Sequence, residues 1–366
     1  MKLKQCLLYL LITTCIFSCK KQDTETQQEI VIVKRSDVLT PLTSTIIVPT
    51  QLSFKNKTKE LNLSAITFRT SPDVTNLNNL RASWRQMMST WKKCEGFNIG
   101  KIRESFLHNR IESKPANVSF IETTIQGDDS ITNDYIALKG SSSRGISGIE
   151  YLIFGDNQST NSMIDSFTIS QSANRRLDYL LATTKVLNDE AEVLYQSWQN
   201  YETDFSSDES SGVKSAFNQM INEMTNLNES MVVKKLGKPM GRTSGLPFNL
   251  RELESYRSEN SLENLKSNLW TIKKIMFLND DGNTTLSDYL NHFRKESKLS
   301  EDIRKQIQSC ENKMNEFNTP LEEHFTADIK KVEELYDELL ELLILLEVDL
   351  AGSLSIVPTP NDNDGD

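Results

Sequence analysis

Apolar side chains recur every three or four residues over long stretches of this chain, and that spacing constrains the fold more than any other feature. It places the apolar residues on one face of an α-helix, and that face must pack against neighbouring elements. The clearest example lies between residues 175 and 198, where the repeating positions are Leu177, Leu180, Leu181, Thr184, Leu187, Ala191, Leu194, Tyr195 and Trp198. Strand-like alternation is confined to short pieces such as 118–125 and 353–357. The sequence therefore predicts an all-α fold.

Capping residues predict where two of the helices begin. Thr319 is placed to cap a helix that has Pro320 in its first turn, and Glu322 would complete a capping box. Asn260, with a glutamate three residues on, predicts a similar start. The helix after Thr319 is expected to continue to Leu350 and, being apolar nearly all round in its second half, to lie centrally in a bundle.

Length and composition divide the sequence into four parts. A chain of 366 residues exceeds a single small core and predicts two packed helical bundles. The stretch 206–212 is the best candidate for the boundary between them, because serine, acidic residues and glycine favour loops. The predicted parts are a signal peptide at 1–18, a flexible tether at 19–42, and bundles at 43–205 and 213–366.

The N-terminus predicts export followed by lipid anchoring. Lys2 and Lys4 precede an apolar run over residues 6–17 that is too short to span a bilayer, and Cys19 follows a small residue. Residues 16–19 resemble a bacterial lipobox, which implies cleavage before Cys19 and its diacylation. An ordinary secretory signal followed by an unrelated cysteine is the alternative. The expected location is the envelope of a Gram-negative bacterium, with the lipid anchor in the outer membrane and the protein facing the periplasm.

Charge and residue types weigh against several functions. The formal net charge of −10 becomes more negative once the signal peptide is removed, which makes nucleic acid a poor partner. Of five cysteines, only Cys94 and Cys310 remain in the folded part. The compartment would allow a disulfide, but two helical cysteines meet only by specific design. The three histidines form no HExxH pair, so the usual scaffold of a zinc peptidase is missing.

A glycine-rich segment carries the most specific motif of the chain. It reads Gly145-Ile146-Ser147-Gly148-Ile149-Glu150 and runs on through an apolar stretch to Gly155. It resembles the G-x-H-x-x-E signature of imelysin-like proteins, with Ser147 in place of the histidine. Histidine and glutamate three residues apart on a helix point to the same side, where both can bind one metal ion. Ser147 cannot serve as that ligand, so inherited metal chemistry would depend on Glu150.

The resemblance covers nearly all of the chain after the tether. Its pieces follow the family's order at plausible spacing, and together they form a specific signal. They are 46–49, Ser71-Pro72, Trp84-Arg85, Trp91, Glu95, Phe97, Gly100, 111–115 with Lys114 where tryptophan is common, the signature, 175–179, 254–262 and the acidic terminus 361–366.

The resemblance implies two helical bundles related by an internal pseudo-repeat, with the signature at their interface. By family analogy the candidate binding residues are Gly145, Ser147, Glu150, Trp84, Arg85, Glu95 and Arg175. Glu150 is the candidate metal ligand, iron or another metal ion is the candidate cofactor, and no catalytic residue is predicted. Glu150 could instead be a general base, or a buried anchor that pairs with an arginine. The arginines available for that role are Arg144, Arg175 and Arg85.

The activities within the family divide. Its founding members were classed as metallopeptidases, while others are iron-regulated envelope proteins or iron-binding components of uptake systems. With Ser147 in the signature, we expect a binding or accessory protein in iron or metal acquisition. Its partners would be the membrane, through lipid on Cys19, and an outer-membrane or iron-transport system. A metallopeptidase and a non-catalytic scaffold for an outer-membrane transporter are the alternatives.

Overall fold

Helices make up the regular structure of the described residues, which are 33–242, 247–278, 282–295 and 297–359 of a computed structural model. The described residues are 76% helical and contain no strand, which confirms the all-α prediction. The strand-like piece at 118–125 lies in a helix, because Ile121, Thr124 and Ile125 share one buried face and Asn117 caps its start. The piece at 353–357 continues the end of another short helix.

In the part of the chain up to residue 206, three long helices stand among shorter ones. Their bounds are α1 Arg35–Leu42, α2 Val48–Thr70, α3 Val74–Cys94, α4 Lys101–Glu104, α5 Leu107–Ile111, α6 Val118–Gln126, α7 Asn133–Ala137, α8 Ser141–Arg144, α9 Ile146–Phe154, α10 Thr160–Thr168 and α11 Ala173–Ser206. A π-helical segment, Thr43–Ile47, joins α1 to α2, and a 3₁₀ turn, Glu95–Phe97, follows α3.

The remaining helices follow the predicted boundary loop. They are α12 Ala216–Ser230, α13 Ser261–Phe277, α14 Leu286–Arg294, α15 Ser297–Asn315, α16 Leu321–Ala327, α17 Ile329–Ile344 and α18 Ala351–Leu354. The π-helical segment Met231–Gly237 extends α12, a second one, Leu345–Leu350, joins α17 to α18, and a 3₁₀ turn covers Leu250–Glu252.

Helices α2 and α11 pack side by side in opposite directions. Lys55 pairs with Glu192, Thr184 bonds to Asn62, and Arg69 near the end of α2 reaches Asp178 near the start of α11. Seven of the nine positions in the predicted apolar stripe of α11 are buried, and Leu181 and Tyr195 are half-buried.

Helices α3 and α13 pack in parallel and connect the two halves of the sequence. The hydroxyls of Ser89 and Ser267 lie 3.0 Å apart, and Thr271 donates to the carbonyl of Lys93, also at 3.0 Å. Gly96, the second residue after α3, permits this close approach, since a Cβ there would lie 2.8 Å from Thr271 Cγ2. This pairing brings residues near 92–95 next to residues near 254–268.

The described residues from Val33 onward form one compact unit around a continuous apolar core. Helix α11 ends at Ser206, where the boundary loop was predicted, and the division into bundles at 43–205 and 213–366 stays a prediction. The signal peptide, Cys19 and the acidic terminus lie outside the described residues. The end of the predicted tether is ordered as helix α1, because Val38, Leu39 and Leu42 bury their side chains.

The predicted capping box at Thr319 is wrong. Pro320 is the N-cap of α16, and Asp328 interrupts the helix that was expected to continue unbroken. The Glu322 carboxylate instead accepts bonds from the backbone N–H and the hydroxyl of Ser261, at the start of α13. The predicted start of α13 is correct, but Glu322, which is distant in sequence, provides its cap.

Cys94 and Cys310 are both buried and both free, so they form no disulfide. Within the described residues, no helix has the length and apolar character needed to cross a bilayer.

Helix α17 offers a test of the packing. Replacing the fully buried Leu339 by alanine should lower the free energy of unfolding by about 2–5 kcal/mol, because the lost contacts leave a cavity. The same change at Ile344, which is 46% exposed on the same helix, should cost less than about 0.5 kcal/mol. Urea unfolding followed by circular dichroism measures both, and equal losses would contradict this packing of α17.

Candidate functional site

The signature segment is shaped by two glycines in close backbone contact. Gly145 separates α8 from α9, and a Cβ added there would lie 2.4 Å from the carbonyl oxygen of Ile111. A Cβ at Gly148 would lie 2.5 Å from the carbonyl oxygen of Ser143. Because backbone atoms cannot yield as a flexible side chain can, both positions require glycine. The signature is therefore, in part, a close-packing motif.

Glu150 lies on the buried face of α9 and holds the loop before α13. Its Oε1 accepts a bond of 3.1 Å from the backbone N–H of Ser258 and one of 2.7 Å from the Ser258 hydroxyl. Burial raises the pKa of Glu150 to about 7, although these two hydrogen bonds favour the charged form. The carboxyl group is thus partly protonated near neutral pH.

Four of the other predicted residues gather around Glu150. Gly145 and Ser147 lie on the same segment, and Trp84 directs its indole N–H to the carbonyl of Ile146 and packs edge-on against Phe154. Arg85 donates to the carbonyl of Ser258 at 2.9 Å and lies over the Phe154 ring. The site therefore joins α3, α9 and the loop before α13.

The ion pair between Glu150 and an arginine, one of the alternatives for this residue, is not formed, since the salt bridges within the described residues do not include Glu150. Arg175 instead donates to the carbonyls of Thr124 and Ile125, near the end of α6, away from the contacts of Glu150. Arg144 lies close to Glu190. Ser258, and not an arginine, donates the hydrogen bonds to the Glu150 carboxyl group.

Glu95, the remaining predicted residue, belongs to a second group of charged side chains, mostly buried, that we call the lysine–glutamate cluster. It comprises Lys92, Lys114, Lys235, Glu95, Glu112 and Glu254. Lys92 comes from the last turn of α3, Glu112 from the end of α5, and Lys235 from the π-helical segment after α12. The three lysines and three glutamates have a formal net charge of zero.

Lys92 lies at the centre of the cluster. Its side chain is 0% exposed, and its Nζ lies 2.5 Å from Glu95, 2.7 Å from Glu112 and 2.8 Å from Glu254. Lys235 Nζ adds contacts of 2.8 Å to Glu95 and 3.3 Å to Glu254. An isolated buried ammonium would be very costly, so the three carboxylates are a condition for Lys92 to be inside the fold.

Uncharged groups orient the carboxylates of the cluster. The indole N–H of Trp91 donates to Glu112, the Asn264 amide to Glu254 at 3.0 Å, and the Asn268 amide to Glu95 at 2.8 Å. Lys114 contacts Glu254 and Glu112 from the outer side, where its side chain is 36% exposed. The glutamates therefore have positioning contacts that do not depend on Lys92.

The charges in the cluster shift one another's pKa values. Burial would lower the pKa of Lys92, but the three carboxylates outweigh it and hold the pKa well above its usual range. Burial would raise the pKa of Glu95, but Lys235 and Lys92 lower it to about 2. Burial lowers the pKa of Lys235, assisted by repulsion from Lys92 and Lys114. The Lys92 ammonium and the Glu95 carboxylate are therefore both charged at neutral pH.

A metal ion does not fit this cluster as it stands. Among the described residues, Glu95, Glu112 and Glu254 are the one group of three carboxylate, imidazole or thiol ligands whose atoms lie within 4.8 Å of one another. The space that an ion would need between them contains the Lys92 ammonium. A catalytic zinc centre also requires an open coordination position. Glu150 is not part of this group, and its role as a metal ligand stays a prediction.

Sequence reasoning identified only Glu95 of this cluster as a site residue. Glu112, Lys114 and Glu254 stand in two segments of the resemblance, 111–115 and 254–262, and those segments were the available signal. Lys92 and Lys235 stand in no motif that could have revealed them.

Comparisons with known proteins agree with this architecture. The model of the Imelysin family matches residues 47–346. The fold is similar to that of an imelysin-like protein from Psychrobacter arcticum 273-4, with a TM-score of 0.73 and 19% identity over 90% of this chain and 98% of that one. It is also similar to a protein from Parabacteroides distasonis ATCC 8503 described as an iron-regulated protein A precursor, with a TM-score of 0.71 and 17% identity over 88% and 95% of the two chains. No curated protein matches the chain.

The close contact at Gly148 predicts a large effect of one methyl group. Gly148→Ala should lower the free energy of unfolding by about 1–3 kcal/mol, because its Cβ would press on the Ser143 backbone. Gly352→Ala is the matched control, since a Cβ there meets nothing within 4 Å and should stabilise α18 by about 0.4–1 kcal/mol. Thermal unfolding of both variants measures the difference, and a neutral Gly148→Ala would contradict the packing described for the signature.

Two buried carboxyl groups predict a pH-dependent change in stability. Burial raises the pKa of Glu150 and of Glu322 from 4.5 to about 7. The folded protein then keeps protons that the unfolded chain releases, so stability is lost as the pH rises from 4.5 to 7. At pH 8, burying each charged carboxyl group lowers the free energy of unfolding by roughly 3 kcal/mol, and at pH 5 this loss is small. Glu150→Gln or Glu322→Gln should remove the loss for its own group.

Urea unfolding at both pH values measures this change. Glu323→Gln, next to Glu322 but exposed, is the control and should change stability little at either pH. A glutamine variant that loses the same stability at pH 5 and at pH 8 would contradict the assignment.

Proposed function

The chain belongs to the imelysin family, and from this premise we propose that it is a non-catalytic binding or accessory protein of the cell envelope that takes part in iron or metal acquisition. Support for the iron connection comes from the similar fold of the protein described as an iron-regulated protein A precursor. Support for the envelope comes from the lipobox-like stretch that ends at Cys19.

One observation carries the non-catalytic part of the proposal. The signature carboxylate, Glu150, uses its Oε1 to hold the backbone N–H and hydroxyl of Ser258, and Ser147 stands where the family signature has histidine. A hydrolytic zinc centre needs about three protein ligands and an open position. Glu150 is instead placed to hold the loop before α13 through Ser258.

The histidines of the chain support the same conclusion. His108 on α5 is buried against the Trp91 ring, and burial lowers its pKa to about 4. His292 is exposed on α14, and the His324 ring on α16 bonds to Thr319. They lie on three separate helices, and none of them joins a group of three metal ligands among the described residues.

The surroundings of Glu150 are the candidate contact region. Trp84, Arg85 and Ser258 combine an aromatic ring, a cation and a hydroxyl next to a carboxyl group of raised pKa. A buried carboxyl group with a strongly shifted pKa marks a candidate functional site. A scaffold role for an outer-membrane transporter is the second candidate and requires only the anchored fold.

Iron uptake by cells tests the proposal. Deletion of the gene should lower the uptake of radiolabelled iron under iron limitation. The wild-type gene should restore uptake, and Cys19→Ser should restore it poorly because the protein would lose its anchor. The purified protein should not cleave unfolded casein in the presence of Zn²⁺ or Mn²⁺.

The alternatives give different results in the same experiments. Metal-dependent cleavage that Glu150→Gln abolishes would establish a metallopeptidase. Co-purification with a transporter, together with iron uptake unchanged by the deletion, would establish the scaffold.

A further inference from the structure

We infer that the Lys92 ammonium is a built-in substitute for a free cation: the wild-type cluster holds no metal ion, and removal of the ammonium turns Glu95, Glu112 and Glu254 into a binding site for a divalent cation or a primary alkylammonium. The inference does not rest on the proposed role in iron acquisition.

The first support is the geometry around the Lys92 nitrogen. Three carboxylates from separate segments approach this one atom at 2.5–2.8 Å. Convergent carboxylate oxygens are the ligands of hard cations such as Mg²⁺, Ca²⁺ and Mn²⁺. An ammonium on a fully buried stem therefore occupies a position that suits a cation with oxygen ligands.

The second support is that the carboxylates are positioned independently of Lys92. Trp91 orients Glu112, and Asn264 and Asn268 orient the other two carboxylates. Such orienting hydrogen bonds are what ligand side chains need in order to bind an ion without reorganising. Shortening Lys92 leaves all of these bonds in place.

The third support is charge. Without the Lys92 ammonium, three carboxylates face the two remaining ammonium groups of Lys114 and Lys235, so the cluster carries a formal charge of −1. A negative buried cluster attracts a cation to restore its balance. The cluster reaches the surface on one side, where the Lys114 side chain is 36% exposed and the Glu95 side chain is 19% exposed.

Lys92→Ala tests the inference, with Lys93→Ala as the matched control. Lys93 is the next residue of α3, and its Nζ lies over the Trp270 ring outside the cluster. By isothermal titration calorimetry, wild type and Lys93→Ala should bind no Mn²⁺ at the cluster, while Lys92→Ala should bind about one equivalent. Mn²⁺ or propylammonium should raise the melting temperature of Lys92→Ala alone, because a ligand stabilises the state that binds it.

Three results would overturn the inference. The first is that the wild type binds Mn²⁺ and that Glu112→Gln weakens this binding. The second is a folded Lys92→Ala variant that responds to neither Mn²⁺ nor propylammonium. If Lys92→Ala does not fold alone, it is refolded from urea with Mn²⁺ or propylammonium present. The third contradicting result is that neither of them restores the helical circular dichroism signal. The proposed function would fail separately, through cleavage of casein or unchanged iron uptake.

Discussion

The burial of the Lys92 ammonium is the interaction on which much of this structure depends. A lysine with no exposed side-chain surface can stay charged only if carboxylates surround it, and here they come from three separate segments. Glu95 follows α3, Glu112 ends α5, and Glu254 precedes α13. The Lys92 charge is therefore neutralised only when these segments dock correctly. A misplaced segment would leave a buried charge without its partner.

The local part of the fold could be predicted from the sequence, and the long-range part could not. Helix α11 and the loop after it follow from apolar spacing and from short polar residues, which act within a few turns of chain. The capping box at Thr319 is also a local pattern, but Glu322 caps Ser261 because tertiary packing brings α16 to α13. A pattern within one helix contains no information about such a partner.

The same distinction explains the candidate site. The resemblance led to Trp84, Arg85, Glu95 and Glu150, because family motifs preserve residue types at a position. Lys92 had no such signal. It stands beside Lys93 at the C-terminal end of a helix, where cations commonly face solvent and offset the helix dipole. Tertiary packing decides that Lys92 is buried among carboxylates from three segments while Lys93 lies over Trp270 of α13.

The loop before α13 has a consequence for the order in which the protein can fold. Its Ser258 is held by Glu150, which lies 108 residues earlier, and its Ser261 is held by Glu322, which lies 61 residues later. Contacts that close such long segments form late, because the loss of chain entropy precedes the gain of the contact. The start of α13 is therefore complete only when segments from both sides of it in the sequence have docked. A chain that ends before residue 322 keeps the partner of Ser258 but lacks the carboxylate that holds Ser261.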